Sequence, residues 1–294
     1  MGLSFRPRPG PIKQSMEPRP FHLQRGPNVL SGDVRGPASA TDCPALVLIP
    51  DILLSRSHGF YPFVAESWAS TRRVVTYDAS CSGYCDGGAA IDAALARTYR
   101  LSTEIEDIVG LVRALGDGTI AGGWDRTRLA LVGHGKGAAL ALHADRRLRA
   151  EGRSSPTALV LIAPPMTLVR EGRTESDASS GVLVPTDADP DGVRLGAEFL
   201  EDARRLSEFA SIPELLSTTP APVLIVAGEE DAVFAPSEAE ALLASGSVHK
   251  DRLVVVEKAG HNFTAGPRLT EPTVALAYLR DVVHRFLREA ETAG

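Results

Sequence analysis

The chain has few cysteines: Cys43, Cys81 and Cys85 among 294 residues. An odd, sparse count argues against a disulfide framework and fits a reducing, cytoplasmic setting. The spacing of Cys81 and Cys85 has no second pair behind it, so a zinc site is not expected, nor is any other metal. No apolar run is long enough to cross a bilayer. Positive charge is in deficit: 31 Lys and Arg stand against 37 Asp and Glu, for a net charge of −6 and a pI of about 5.7. That balance argues against nucleic acid or an anionic membrane as partner. A G-x-G-x-x-G in context and a P-loop are both missing, so no organic cofactor is implied. A small-molecule substrate is the expected partner, and a homodimer is left open.

The first twenty residues lack the apolar core of a signal peptide. With prolines at 7, 9, 11, 18 and 20 among Arg and Lys, residues 1–20 read as a flexible, partly polyproline tail. Residues 21–294 read as one domain, long enough to bury on the order of 75% of the surface its unfolded chain exposes.

Along that domain, apolar runs alternate with helical patterns. Residues 21–24 and 29–34 look like an opening antiparallel pair. Residues 45–49, 73–77, 128–132, 158–162, 223–227 and 253–256 read as buried strands. Helical spacing marks 63–69, 102–115 and 270–288. The stretch 168–191 interrupts the alternation and reads as a loop or short hairpin in a lid region of about 166–200. Its Asp187, Asp189, Asp191, Gly192 and Glu198 satisfy the letters of a calcium-loop pattern. A strand-like run precedes them where that motif needs a helix, so a polar hairpin turn is the better reading.

Strand 128–132 runs into Gly133-His134-Gly135-Lys136-Gly137, and a small-residue helix start follows. Strand, glycine-flanked turn and helix make up the nucleophile elbow G-x-S-x-G, whose central residue is serine. Here that residue is Gly135. Asp231 lies in the loop after strand 223–227, and His261 in the loop after strand 253–256. The order of elbow, acid and histidine, with Leu30-Ser31-Gly32, the stretch at 58–69 and Tyr77-Asp78, resembles an α/β-hydrolase of the dienelactone-hydrolase and bacterial serine-esterase type. The resemblance spans residues 20–289. It implies an α/β-hydrolase fold: a mostly parallel, doubly wound sheet with an antiparallel N-terminal strand pair and a small lid insertion.

The same resemblance assigns roles. Asp231 is expected to accept the His261 Nδ1–H, leaving Nε2 free as a base. The backbone N–H groups of Lys136 and Ile52 are the expected oxyanion donors. Asp51 stands where relatives have glycine, so a carboxylate is expected beside the oxyanion. It could hold a substrate cation, act as a second acid or base, or point away to cap a helix. His134, between the first glycine and Gly135, has packing or hydrogen bonding as its ordinary role. A thiol nucleophile at Cys81 or Cys85 is a weaker alternative, since nothing near them in sequence depresses a thiol pKa.

Glycine at 135 relaxes the strained backbone of the elbow and leaves room for about one water, whose liquid-state volume is roughly 30 Å³. Three readings follow. The first is an enzyme without a nucleophilic serine, in which His261 and Asp231 supply a general base. Its chemistry would be elimination, isomerisation or epimerisation, cyclisation, or water-mediated hydrolysis of a small carbonyl or acyl compound. Nucleophile-free members of this fold in bacterial secondary metabolism are similar to it. The second is a serine esterase inactivated by substitution at position 135. The third is a non-catalytic small-molecule-binding relative. The first is preferred.

Overall fold

A computed structural model describes residues 17–37, 43–85, 90–120, 124–125, 127–169, 182–184, 192–246, 252–266 and 269–293. Eight strands form one sheet. In chain order they are β1 (Arg19–Arg25), β2 (Asn28–Arg35), β3 (Ala45–Ile49), β4 (Arg73–Asp78), β7 (Leu129–His134), β8 (Ala158–Ile162), β11 (Val223–Gly228) and β12 (Arg252–Val256). Across the sheet they run β1-β2-β4-β3-β7-β8-β11-β12. The first two are an antiparallel pair and β2 meets β4 antiparallel; β4, β3, β7, β8, β11 and β12 are parallel.

The central strands owe their place to residues apolar on both faces. In β3, Val47 and Ile49 enter the core on one side, and Leu46 and Leu48 enter the core on the other. Helices cover both sides. α1 (Tyr61–Trp68) and α8 (Val274–Ala293) pack on one face, and α3 (Leu101–Asp117) and α4 (Lys136–Ala150) on the other. Helix α3 ends where Gly118 turns left-handed at φ 84°, a conformation open to glycine at low cost. Helix α1 starts at Tyr61, two residues before the periodicity predicts, because Pro62 sits in its first turn and lacks only an N–H that would be unpaired there. The closing helix begins four residues later than expected and runs on to Ala293.

Strand β1 begins at Arg19, so the last two residues assigned to the tail are paired in the sheet. Residues 1–16 lie outside the described residues. So do 170–181 and 185–191, which include most of the lid and Asp187, Asp189 and Asp191. Outside the main sheet, β5 (Tyr84–Cys85) pairs antiparallel with β6 (Ala90–Ile91), ahead of the short α2 (Ala93–Ala96). Within the lid region, β9 (Val182–Val184) pairs antiparallel with β10 (Val193–Leu195), and α5 (Ala197–Phe209) follows; α6 (Ile212–Thr218) and α7 (Pro236–Ser245) flank β11 in sequence. Among the described residues, no helix is long and apolar enough to cross a membrane.

Candidate active site

Four loops leave the carboxyl ends of β3, β7, β11 and β12, the edge where ligands bind in open α/β sheets. They carry Asp51, Gly135, Asp231 and His261 in turn. The β7 loop is the elbow. Gly135 has φ 55° and ψ −127°, a conformation that strains any side-chain-bearing residue. Its flanks are as constrained. A Cβ on Gly133 would lie 2.3 Å from the Gly137 carbonyl oxygen, and one on Gly137 would lie 2.3 Å from the Pro50 carbonyl oxygen. Glycine at both positions lets β7, α4 and the β3 loop touch backbone to backbone.

The niche above Gly135, where the sequence leaves room for a water, is not open. It holds the carboxylate of Asp51. A Cβ built on Gly135 would fall 2.2 Å from Asp51 Cγ and 2.3 Å from Oδ2. The Lys136 N–H donates to Asp51 Oδ1 at 2.7 Å, and the Ile52 N–H donates to the same oxygen at 2.8 Å. Both N–H groups, the pair named from the sequence as oxyanion donors, thus point at an oxygen that the protein itself supplies. The other oxygen, Oδ2, lies 3.2 Å from His261 Nε2. His261 Nδ1–H donates to Asp231 Oδ2 at 2.9 Å. Nε2 is therefore paired with Asp51 rather than free, and the centre is a row: Asp231, His261, Asp51.

The row's charges follow from its geometry. Burial pulls the His261 imidazolium down, but the hydrogen bonds and charges of Asp231 and Asp51 outweigh it and carry the pKa from 6.5 up to about 9. Burial pushes the Asp51 carboxyl up, and the His261 contact overrides it and holds the group well below the usual carboxylate range. Asp231 shifts down by the same balance, helped by the Val233 and Phe234 N–H groups on its Oδ1. At neutral pH the row is carboxylate, imidazolium, carboxylate. A doubly protonated ring between two acceptors is the only protonation state in which both contacts are hydrogen bonds with both acids ionised.

His134 lies behind this row rather than in it. Its ring is fully buried and both nitrogens are engaged. Nε2–H donates to the His261 carbonyl at 3.0 Å, so Nδ1 is the acceptor, and the Tyr61 hydroxyl donates to it at 2.8 Å. The Tyr61 oxygen in turn accepts the Asp51 N–H at 2.9 Å. One chain of hydrogen bonds thus ties the Asp51 backbone to the His261 backbone through two rings. Burial, followed by the nearby His261 charge, drives the His134 pKa down to about 3, which keeps it neutral and fixes that polarity. The ligand atoms of Asp51, His134 and His261 lie within 4.8 Å of one another. The histidine nitrogens of this trio are hydrogen-bonded: His134 Nε2 to the His261 carbonyl, and the His261 nitrogens to Asp51 and Asp231.

Tyr61 is a site residue that sequence reasoning missed. Its signal was faint: a tyrosine ten residues past Asp51, beside Pro62 at a helix start. The β3 loop is held by further contacts. Arg56 donates through its backbone to Asp78 Oδ1 at 2.7 Å and through Nε to Asp33 Oδ2 at 2.8 Å, with a second guanidinium contact to Asp78. Buried Leu53, at φ 51°, takes the Tyr84 hydroxyl on its carbonyl at 2.6 Å. Cys81, the alternative nucleophile, is buried, and burial pushes its thiol up to about 12, so it is not an available thiolate.

A family model described as alpha/beta hydrolase fold matches residues 40–265. No curated protein matches the chain in sequence. Solved structures share its fold at low identity. Est1E from Butyrivibrio proteoclasticus with ferulic acid bound is 16% identical at a TM-score of 0.68, covering 92% of this chain and 99% of that one. The esterase domain of a Rhodothermus marinus protein is 16% identical at 0.64, covering 93% and 99%. The monoacylglycerol lipase of Paleococcus ferrophilus is 15% identical at 0.61, covering 94% and 100%. The chain belongs to the alpha/beta hydrolase fold family.

Proposed function

We propose that the protein is an enzyme of this fold that works without a serine nucleophile, through proton transfer at Asp51 and His261 on a small carbonyl or acyl compound. The reactions in reach are elimination, isomerisation or epimerisation, cyclisation and water-mediated hydrolysis. The observation that carries this reading is the Asp51 carboxylate in the volume above Gly135, with one oxygen on both N–H donors and the other on His261. His261 starts the cycle as an acid and becomes a base once its Nε2 proton has left. Asp231 holds the ring's orientation and stabilises its charge.

The arrangement speaks against a serine esterase inactivated at position 135. A side chain at 135 and the carboxylate of Asp51 claim one volume, so a native serine there would need Asp51 to lie elsewhere. Esterase and lipase relatives of the fold support hydrolysis as one of the reactions considered, and the ionised pair supports the wider proton-transfer class.

The test is a turnover screen of β-acyloxy and β-hydroxy carbonyl compounds and short esters with the parent, Asp51→Asn and His261→Gln. Each substitution is expected to lower turnover by about 10²–10⁴-fold, the usual weight of a positioned acid or base. Parental rates in both variants would refute the reading. A fluorophosphonate probe should leave the parent unlabelled; stoichiometric labelling of any serine would point to a nucleophile elsewhere.

A further inference from the structure

The geometry of the Asp51–His261 pair restricts which proton-transfer reaction it can serve. The proton-bearing Nε2 of His261 and the proton-accepting Oδ2 of Asp51 are 3.2 Å apart. Both side chains are largely buried, at 12% and 13% exposure, with the two atoms held against each other. The second Asp51 oxygen is pinned by two backbone donors, which fixes the carboxylate plane and leaves Oδ2 as the working atom. The oxyanion pocket is filled by Oδ1, so a reaction that must lodge a full negative charge there is disfavoured.

We propose that this pair catalyses a syn 1,2-elimination from a β-oxygenated carbonyl compound, with Asp51 Oδ2 removing the α-hydrogen and His261 Nε2–H protonating the departing oxygen on the same face. The inference rests on the proposed function and specifies its reaction.

An acid atom and a base atom this close can engage a hydrogen and an oxygen on neighbouring carbons only when both project to one side of the substrate. An antiperiplanar pair points to opposite sides and offers the site one atom at a time. The electrons balance without a co-reactant. The C–H pair becomes the new π bond, and the C–O pair leaves with the oxygen. That oxygen takes the Nε2 proton and departs as an alcohol, a carboxylic acid or water. Asp51 is left protonated and His261 neutral. The proton then crosses the 3.2 Å hydrogen bond from Oδ2 to Nε2, and the starting ion pair is restored. Protonation of the leaving group means that charge need not build up in the filled pocket. As His261 gives up its proton, Asp51 loses the cation that had kept it a weak base, so the two transfers help each other.

Methyl 3-acetoxybutanoate of one configuration at C3, deuterated at C2 in each of its two diastereomeric positions, is the probe. The expected result is methyl (E)-crotonate that loses deuterium only from the diastereomer in which deuterium and acetoxy group leave syn, read by mass spectrometry. Anti loss, scrambled loss, release of the 3-hydroxy ester, or no alkene from this ester or from 4-acetoxybutan-2-one would each overturn it. Asp51→Asn and His261→Gln should each lower alkene formation by about 10²-fold or more, with unchanged circular dichroism. If both variants keep the parental rate, the site reading falls as well. If they abolish turnover but the parent gives anti loss or hydrolysis, the site stands and only the syn proposal fails.

Discussion

Asp51 changes the meaning of its neighbours. With it, His261 rests as a cation; with a neutral group in its place, His261 would keep only Asp231. Asp51→Asn should therefore bring the His261 pKa down from about 9, which histidine Nε2 and Cδ2 chemical shifts followed from pH 5 to 10 would register. A pKa still at 9 would assign the shift to Asp231 alone. The same shift bears on stability. The folded pKa lies above the ordinary 6.5, so the stabilisation from the charged ring is complete below about pH 6.5 and is lost as pH rises through about 9. Melting temperatures of the parent should decline across that window, and those of His261→Gln should lack this component. Activity should fall on the same alkaline limb, because the acid is then missing.

Gly135 has its own prediction. Gly135→Ser puts a Cβ into the Asp51 carboxylate on a backbone at φ 55°. It should cost about 1–3 kcal/mol in unfolding free energy and yield no acyl-enzyme burst on activated esters. A large burst without destabilisation would restore the inactivated-esterase reading. Gly135, Asp231 and His261 could be read because each follows a buried strand in a fixed order. Asp51 was visible as a departure from glycine, but its destination was not. A side chain that reaches from the β3 loop to the next strand's turn leaves no spacing signal in sequence.

At the scale of elements, the site depends on backbone contact among β3, β7 and α4. Gly133→Ala is expected to lower the melting temperature by several degrees and to weaken activity, since its Cβ would meet the Gly137 carbonyl and the backbone of Ala138. Wild-type melting and rate would show that the elbow can open without consequence. The interior strands were readable from unbroken apolar runs. The first turn of α1 was not. Pro62 suits a helix start, but the pull that sets Tyr61 there comes from His134 and Asp51, residues 73 positions ahead and 10 behind. Tyr61→Phe would remove the acceptor for the Asp51 N–H and the donor to His134. Because Phe keeps the ring packing, a loss of turnover larger than the loss of stability would mark Tyr61 as a positioning residue.

Across the whole molecule, the closing helix is tied to the end of α1 and to the segment between α1 and β4. The fully buried Arg72, just before β4, finds Glu291 of α8 at 2.6 Å, while Trp68 Nε1–H donates to the Arg280 carbonyl at 3.1 Å. Glu291→Ala strands a buried guanidinium and should cost about 3 kcal/mol, measurable by urea unfolding; a change within error would mean that Arg72 finds another acceptor.

The shared volume at 51 and 135 also constrains ancestry. Two positions 84 apart in sequence can hold one side-chain head between them. A lineage passing between a serine at 135 and an acid at 51 cannot acquire the second before giving up the first without a clash. Its viable intermediate has small residues at both places and an open, inert niche. Homologues should therefore pair serine at 135 with glycine or another small residue at 51, or glycine at 135 with the acid. A chain carrying both side chains should be absent or show its Asp51 equivalent turned away. The combined variant Asp51→Gly, Gly135→Ser retraces that route, and fluorophosphonate labelling of it, alongside an unlabelled parent, would show how short the distance between the two chemistries is.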